Sequence, residues 1–201
     1  SVNLKRAVIA SEDAGFAEKG RGGQFIEEHD LRSHGDWPVS AHGGQLGMGQ
    51  GGSAGGITVG RALTERPDLF AGVISNVGVS NTLRAEFSQN GPPNIDEFGT
   101  VKEADGFTGL RAMDALSHVK DGTRYPAVLL TVGMTDPRVE AWHGGKMAAR
   151  LQKANRSPNP VLLRVEFDAG HGLGSTRSQV DDARADEFAF VLWRAGRKSV
   201  G

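Results

Sequence analysis

Cysteine is absent from this chain of 201 residues. That excludes a disulfide framework, thiol catalysis and cysteine-ligated zinc or iron–sulfur centres. Aromatic residues are scarce, at 6% with a single tyrosine, so a core has to be built from aliphatic side chains. Neither sign of charge is in excess: 23 Lys and Arg stand against 24 Asp and Glu, a formal net charge of −1. A nucleic-acid-binding surface, which shows a basic surplus, is therefore not expected, nor is an acidic disordered tail. No apolar run approaches the ~20 residues of a membrane span. The opening Ser-Val-Asn-Leu-Lys-Arg lacks a secretory-signal pattern. The expectation is a soluble, cytoplasmic protein that does not engage membranes. What is abundant is glycine, 29 residues, about twice the usual share of roughly 7%. Many tight turns, or backbone brought close to something, follow from that.

The length suits one domain over 1–201, in two unlike parts. Residues 1–45 read as an irregular N-terminal segment, apart from a possible short strand over 4–9. Its expected anchors are Phe25, Ile26 and Trp37. From 46 onward the pattern is regular. Strands are predicted over 46–48, 71–77, 127–132 and 161–167. Helices are predicted over 58–65, 101–119, 140–154 and 179–197, with a loop over 81–99. The run Ala-Val-Leu-Leu-Thr-Val at 127–132 is apolar throughout, as in a strand covered on both faces. Strands alternating with helices predict an α/β fold with a mainly parallel sheet flanked by helices.

In such sheets, functional loops lie beyond the carboxyl ends of the strands. Three of these ends carry reactive groups. Gly51-Gly52-Ser53-Ala54-Gly55 fits G-x-S-x-G between a strand and a helix. That turn needs small neighbours because it strains the serine backbone and lifts the hydroxyl clear of the sheet. Thr135-Asp136-Pro137-Arg138 follows the third strand, and Asp168-Ala169-Gly170-His171-Gly172 follows the fourth. A serine hydroxyl needs a base to take its proton and an acid to orient that base. His171 and Asp136 supply these, in the chain order Ser, Asp, His of α/β-hydrolases. The Ala54 amide, at the start of a helix, is the expected oxyanion donor. Read singly, Ser53 is a serine in a glycine-rich turn, and Asp136 is a helix cap. Met134 and Trp142 are candidates for an acyl pocket, with core packing the default for both. His29, His34, His42, His118 and His143 lack metal-ligand spacing, and the glycine-rich stretch lacks the Lys-Ser/Thr ending of a phosphate loop. No metal and no cofactor are expected.

These residues resemble the catalytic domain of the prolyl oligopeptidase family of serine hydrolases, over about residues 45–195. The resemblance is carried by Gly51-Gly52-Ser53-Ala54-Gly55-Gly56, Arg66-Pro67-Asp68-Leu69-Phe70, Asn76-Val77-Gly78-Val79, Tyr125-Pro126-Ala127, Thr135-Asp136-Pro137-Arg138-Val139 and Ala169-Gly170-His171-Gly172. It implies an α/β-hydrolase-like architecture of reduced size, with Ser53 as nucleophile, Asp136 as orienting acid, His171 as base and the Ala54 amide as one oxyanion donor. Arg138 falls where the family anchors a substrate carbonyl. Asn94 falls where the family stacks a tryptophan on the substrate proline, and Gly52 is taken as a further substrate contact. Arg21-Gly22-Gly23-Gln24-Phe25-Ile26-Glu27-Glu28 is similar to the family's R-G-G-G-E-Y-G-E segment, but much closer to the serine. The family's second oxyanion donor is an upstream tyrosine. The one tyrosine here, Tyr125, lies elsewhere.

These readings lead to a serine hydrolase acting through an acyl-Ser53 intermediate. Hydrolysis of short-chain carboxylic esters is the expected activity, because better leaving groups tolerate an incomplete oxyanion hole. One missing donor costs roughly 10²–10³ in rate. The alternatives are a proline-selective serine peptidase acting on short peptides and a degenerate, non-catalytic hydrolase fragment. An open sheet edge needs covering, so a homo-oligomer is expected.

Overall fold

The computed structural model describes residues 47–172 and 176–194, together with the backbone of two short strands, β1 (Arg6–Val8) and β2 (Phe25–Glu27), paired antiparallel. The side chains of Phe25 and Ile26 and all of Trp37 lie outside the described residues, as does most of the 21–28 segment. The main sheet holds β3 (Gly47–Gly52), β4 (Phe70–Asn76), β5 (Ala127–Gly133) and β6 (Val161–Glu166), in that spatial order and all parallel. Parallel neighbours need crossover connections. Helix α1 (Gly55–Glu65) joins β3 to β4, and α5 (Trp142–Ala154) joins β5 to β6. Between β4 and β5 run the short helices α2 (Thr82–Ala85) and α3 (Ile95–Phe98) and the longer α4 (Ala104–Met113). Helix α6 (Arg177–Arg194) follows β6. This is the expected α/β-hydrolase-like fold.

Two apolar layers hold the sheet between helices. On one face Val73, Val128 and Leu130 pack with Val59 and Leu63 of α1 and Leu151 of α5. On the other, Ile74 and Leu129 meet Phe190 of α6. Covering both faces removes the polar alternation of a half-exposed strand, which is why β5 reads as a continuous apolar run. Each such side chain contributes about 1.5–3 kcal/mol through burial.

Two expected elements differ. The helix expected over 101–119 ends at Met113, where Asp114 turns extended and a short 3₁₀ turn, Leu116–His118, follows. Asp114 is fully buried, and its carboxylate accepts the Asn81 side-chain amide and the backbone amides of Leu83 and Ser117. A carboxylate satisfied by three donors outweighs one more helical turn. The loop expected over 81–99 holds α2 and α3, each four residues long and too short to show a helical period. Met134 is half-exposed rather than in the core.

Candidate active site

Strand β3 runs directly into Ser53, whose φ of +50° lies in the left-handed region that non-glycine residues rarely occupy. Backbone bonds hold it there. The Ser53 amide donates to the Asn76 carbonyl at 3.0 Å, and its carbonyl accepts the amides of Gly56 (3.0 Å) and Val79 (2.9 Å). The exit of β4 is thus part of the same turn. It is strained as well: Val77 has a φ of +42°, costly for a β-branched residue. Two glycines allow the close approach. A Cβ on Gly51 would stand 2.4 Å from the Gly55 carbonyl oxygen, and one on Gly56 would stand 2.5 Å from the Gly78 Cα. Past the turn, Ala54 leads into α1, whose first amides have no acceptor within the helix and carry its positive dipole end.

The exits of β5 and β6 are laced together in the same way. Met134 donates its amide to the Glu166 carbonyl (2.9 Å), and Thr135 donates to the Ala169 carbonyl (3.3 Å). Gly133 permits this contact, since a Cβ there would stand 2.4 Å from the Ala169 oxygen. The lacing brings Asp136 and His171 together. Asp136 Oδ2 lies 2.6 Å from His171 Nδ1, and His171 Nε2 lies 2.9 Å from Ser53 Oγ. The other carboxylate oxygen, Oδ1, accepts the amides of Arg138 (2.8 Å) and Val139 (2.9 Å). All three side chains are buried, Ser53 at 8%, Asp136 at 5% and His171 at 6% exposure. Burial alone would raise the Asp136 carboxyl. The hydrogen bonds from His171, Val139 and Arg138 together outweigh it and hold the group below the ordinary carboxylate value. A hydroxyl, an imidazole and an ionised carboxylate in hydrogen-bonded series can move a proton off the hydroxyl and onto a leaving group.

The remaining residues separate into two groups. Arg138 and Asn94 line a pocket whose walls include Val79, hydrogen-bonded through its amide to the Ser53 carbonyl, and Ile57 in the first turn of α1. Gly52 ends β3, where a Cβ would come within 3.3 Å of the Asn76 carbonyl oxygen. Met134 and Trp142 do not line that pocket. Trp142 stacks on His143 and donates its ring N–H to Glu140. Tyr125 is fully buried ahead of β5, at the opposite end of the strands from Ser53. Its hydroxyl bonds the Lys120 backbone. His29, His34 and His42 lie outside the described residues, while His118 bonds the Asp114 carbonyl. Among the described residues, no cluster of three or more His, Asp or Glu side chains could hold a metal ion, and no helix is long and apolar enough to cross a membrane. Glu86 and His143, both in the pocket wall, had no signal in the sequence that singled them out.

The prolyl oligopeptidase family matches residues 45–198. Among curated relatives, the chain is 35% identical over 151 residues to a prolyl endopeptidase of Elizabethkingia meningoseptica, covering 75% of this chain and 21% of that protein. It is 35% identical over 144 residues to a prolyl endopeptidase of Dictyostelium discoideum, covering 70% and 19%. The chain therefore spans about a fifth of the length of the curated relatives it matches. Among solved structures, a prolyl endopeptidase superposes with a TM-score of 0.72 at 32% identity, covering 75% of this chain and 22% of the other. Oligopeptidase B from Trypanosoma brucei, with covalently bound antipain, superposes with a TM-score of 0.71 at 28% identity, covering 76% and 22%.

Proposed function

This chain belongs to the prolyl oligopeptidase family of serine hydrolases, and from that premise we propose that it carries the acyl-transfer chemistry of a serine peptidase, in one domain with residues 46–201 as its catalytic core. The observation that carries the reading is the buried series Ser53 Oγ–His171–Asp136, with separations of 2.9 and 2.6 Å. Ser53 Oγ attacks the scissile carbonyl carbon as its proton passes to His171 Nε2. Asp136 holds Nδ1 and stabilises the imidazolium. The tetrahedral oxyanion meets the Ala54 amide, preorganised at the start of α1. His171 then gives the proton to the departing amine, leaving an acyl-Ser53 ester. Water, deprotonated by the same imidazole, releases the acid and restores the serine.

Arg138 anchors a substrate carbonyl at the rim of the pocket, with Gly52 and Asn94 as further contacts. Peptide substrates are favoured over carboxylic esters because the relatives named above are peptidases. Esters react through the same acyl-enzyme and serve as chromogenic surrogates. The sole tyrosine hydroxyl is committed to Lys120, so within 47–172 and 176–194 the Ala54 amide is the oxyanion donor on which the reading rests. Self-association is tested by mass in light scattering, an assembly larger than one chain being the expected result.

The test is turnover of a prolyl peptide anilide and of p-nitrophenyl butyrate by wild type and Ser53→Ala, each with matched circular dichroism. Loss of both activities in a folded variant is the expected result. Equal activity in both proteins assigns the nucleophile elsewhere. An ester-only enzyme reverses the preference for peptides.

A further inference from the structure

The pocket beside Ser53 has a volume of about 50 Å³ and apolar walls formed by Ile57, Val79, Ala85, Ile95, Phe98 and Leu110. Two of these fix its place: the Val79 amide donates to the Ser53 carbonyl, and Ile57 lies in the first turn of α1. Most polar side chains in the wall already have partners. Thr82 donates to the Leu110 carbonyl, Ser88 to the Ala85 carbonyl and Asn94 to the Asn90 carbonyl.

Two groups differ. Glu86 accepts the Val101 amide on Oε2 at 3.0 Å, while its Oε1 is buried without a hydrogen-bond partner among the described residues. His143, 2% exposed, accepts the Ser80 and Asn81 amides on Nδ1, at 3.4 and 3.3 Å. With Nδ1 accepting, the proton of the neutral ring sits on Nε2. No described residue accepts it. The wall therefore offers an acceptor from Glu86 and a donor from His143.

An unpaired buried carboxylate oxygen is costly, so the pocket favours a guest that brings a donor. The His143 N–H favours an acceptor on the same guest. The room is that of a few water-sized groups, enough for the head of one side chain. A primary carboxamide carries N–H donors and a carbonyl acceptor on one carbon. An ammonium would satisfy Glu86 but leave the His143 N–H facing a second donor. We infer that Glu86 and His143 make this pocket selective for a glutamine or asparagine side chain on the acyl side of the scissile bond. This rests on the reading of Ser53 as the peptidase nucleophile.

The test uses the protein at its full natural length and matched peptide aminocoumarins with Gln, Glu, Met, Lys or Pro before the scissile bond. The expected kcat/KM for Gln exceeds that for Met, an apolar side chain of similar length, and that for Glu by about tenfold or more, because buried polar groups reject a guest that leaves them unpaired. In Glu86→Gln the amide oxygen takes the Val101 N–H and the NH₂ faces the pocket. The Gln-to-Glu ratio then falls at least about tenfold as a donor replaces the acceptor. Equal or better turnover of Met or Pro would overturn the inference, since the apolar walls would then decide. So would Lys as the best substrate, or an unchanged ratio in Glu86→Gln. If that variant does not fold, the wild-type series decides alone. A fluorophosphonate probe reacts with an activated serine whatever side chain precedes the bond. No labelling of Ser53 counts against the peptidase reading; labelling with a flat substrate series counts against this inference alone.

Discussion

Replacing Asp136 by asparagine separates geometry from proton placement. The asparagine oxygen can still accept the Arg138 and Val139 amides, now held at 2.8 and 2.9 Å by Oδ1. Its NH₂ then faces His171 Nδ1, where the carboxylate oxygen stood at 2.6 Å. That donor drives the imidazole proton to Nε2, so the ring donates to Ser53 Oγ instead of accepting from it. The wrong tautomer costs about 10⁴ in kcat, or about 5 kcal/mol at 1.36 kcal/mol per tenfold. Stability should move less, by about 1–3 kcal/mol, because the three hydrogen bonds to the carboxylate all become neutral ones while the cost of burying its charge is relieved. The assay is kcat on a peptide anilide beside thermal melts of both proteins. A loss of less than tenfold would refute the tautomer argument. A large loss that tracks unfolding would show the carboxylate to be structural.

Three further outcomes follow from particular contacts. Gly56→Ala places a Cβ 2.5 Å from the Gly78 Cα and 2.6 Å from the Val79 nitrogen. Backbone has to move, and the variant should lose about 1–3 kcal/mol in a denaturant melt, with activity falling as Ser53 shifts. Tyr125→Phe leaves the Lys120 amide without its 2.9 Å acceptor. It should cost about 1–3 kcal/mol while kcat stays near wild type; a collapse of kcat in a folded variant would refute the separation of this hydroxyl from the chemistry. Burial pushes the His143 imidazole down to about 4 from its ordinary 6.5. The unfolded chain then binds the proton first, so this contribution is complete above pH 6.5 and is lost as pH falls toward 4. The loss amounts to about 3 kcal/mol. Melting temperature should decline across that window in wild type, and a flat profile would contradict it. The Asp136 carboxyl, held below its ordinary value, acts only at lower pH.

Asp136 and His171 were legible because each sits just past a strand with a clear apolar run, whereas Ser53 follows the glycine-rich β3 and was read from its G-x-S-x-G turn. Residues 71–77, 127–132 and 161–167 match β4, β5 and β6 to within a residue, and the glycines around Ser53 and His171 mark turns. The pocket was not legible. Its walls come mainly from the 79–99 excursion, where α2 and α3, of four residues each, cannot display a period of 3.6, and are completed by Ile57, Leu110, Arg138 and His143 from elsewhere in the chain. Asp114 organises that excursion from a buried position, yet in the sequence it is one acid among 24 Asp and Glu. Glu86 was equally silent, since what distinguishes it is an unpaired oxygen that only a folded wall can create. Long-range contacts decided what local pattern left open.

The tight seating of Gly56 against Gly78 also bears on how this site is inherited. The turn that bears Ser53 is built by two strand exits far apart in the chain, joined by the Val79–Ser53 hydrogen bond and by a gap too narrow for any side chain. The hexapeptide around the serine is therefore not a transplantable cassette. Grafted onto another strand without the Asn76–Val79 segment opposite, it would lose the bonds that hold Ser53 left-handed. Across diverging descendants, positions 56 and 78 should change together, a methyl at 56 being tolerated only after the opposite backbone has withdrawn and one at 78 only after the Ser75 side chain has also given way.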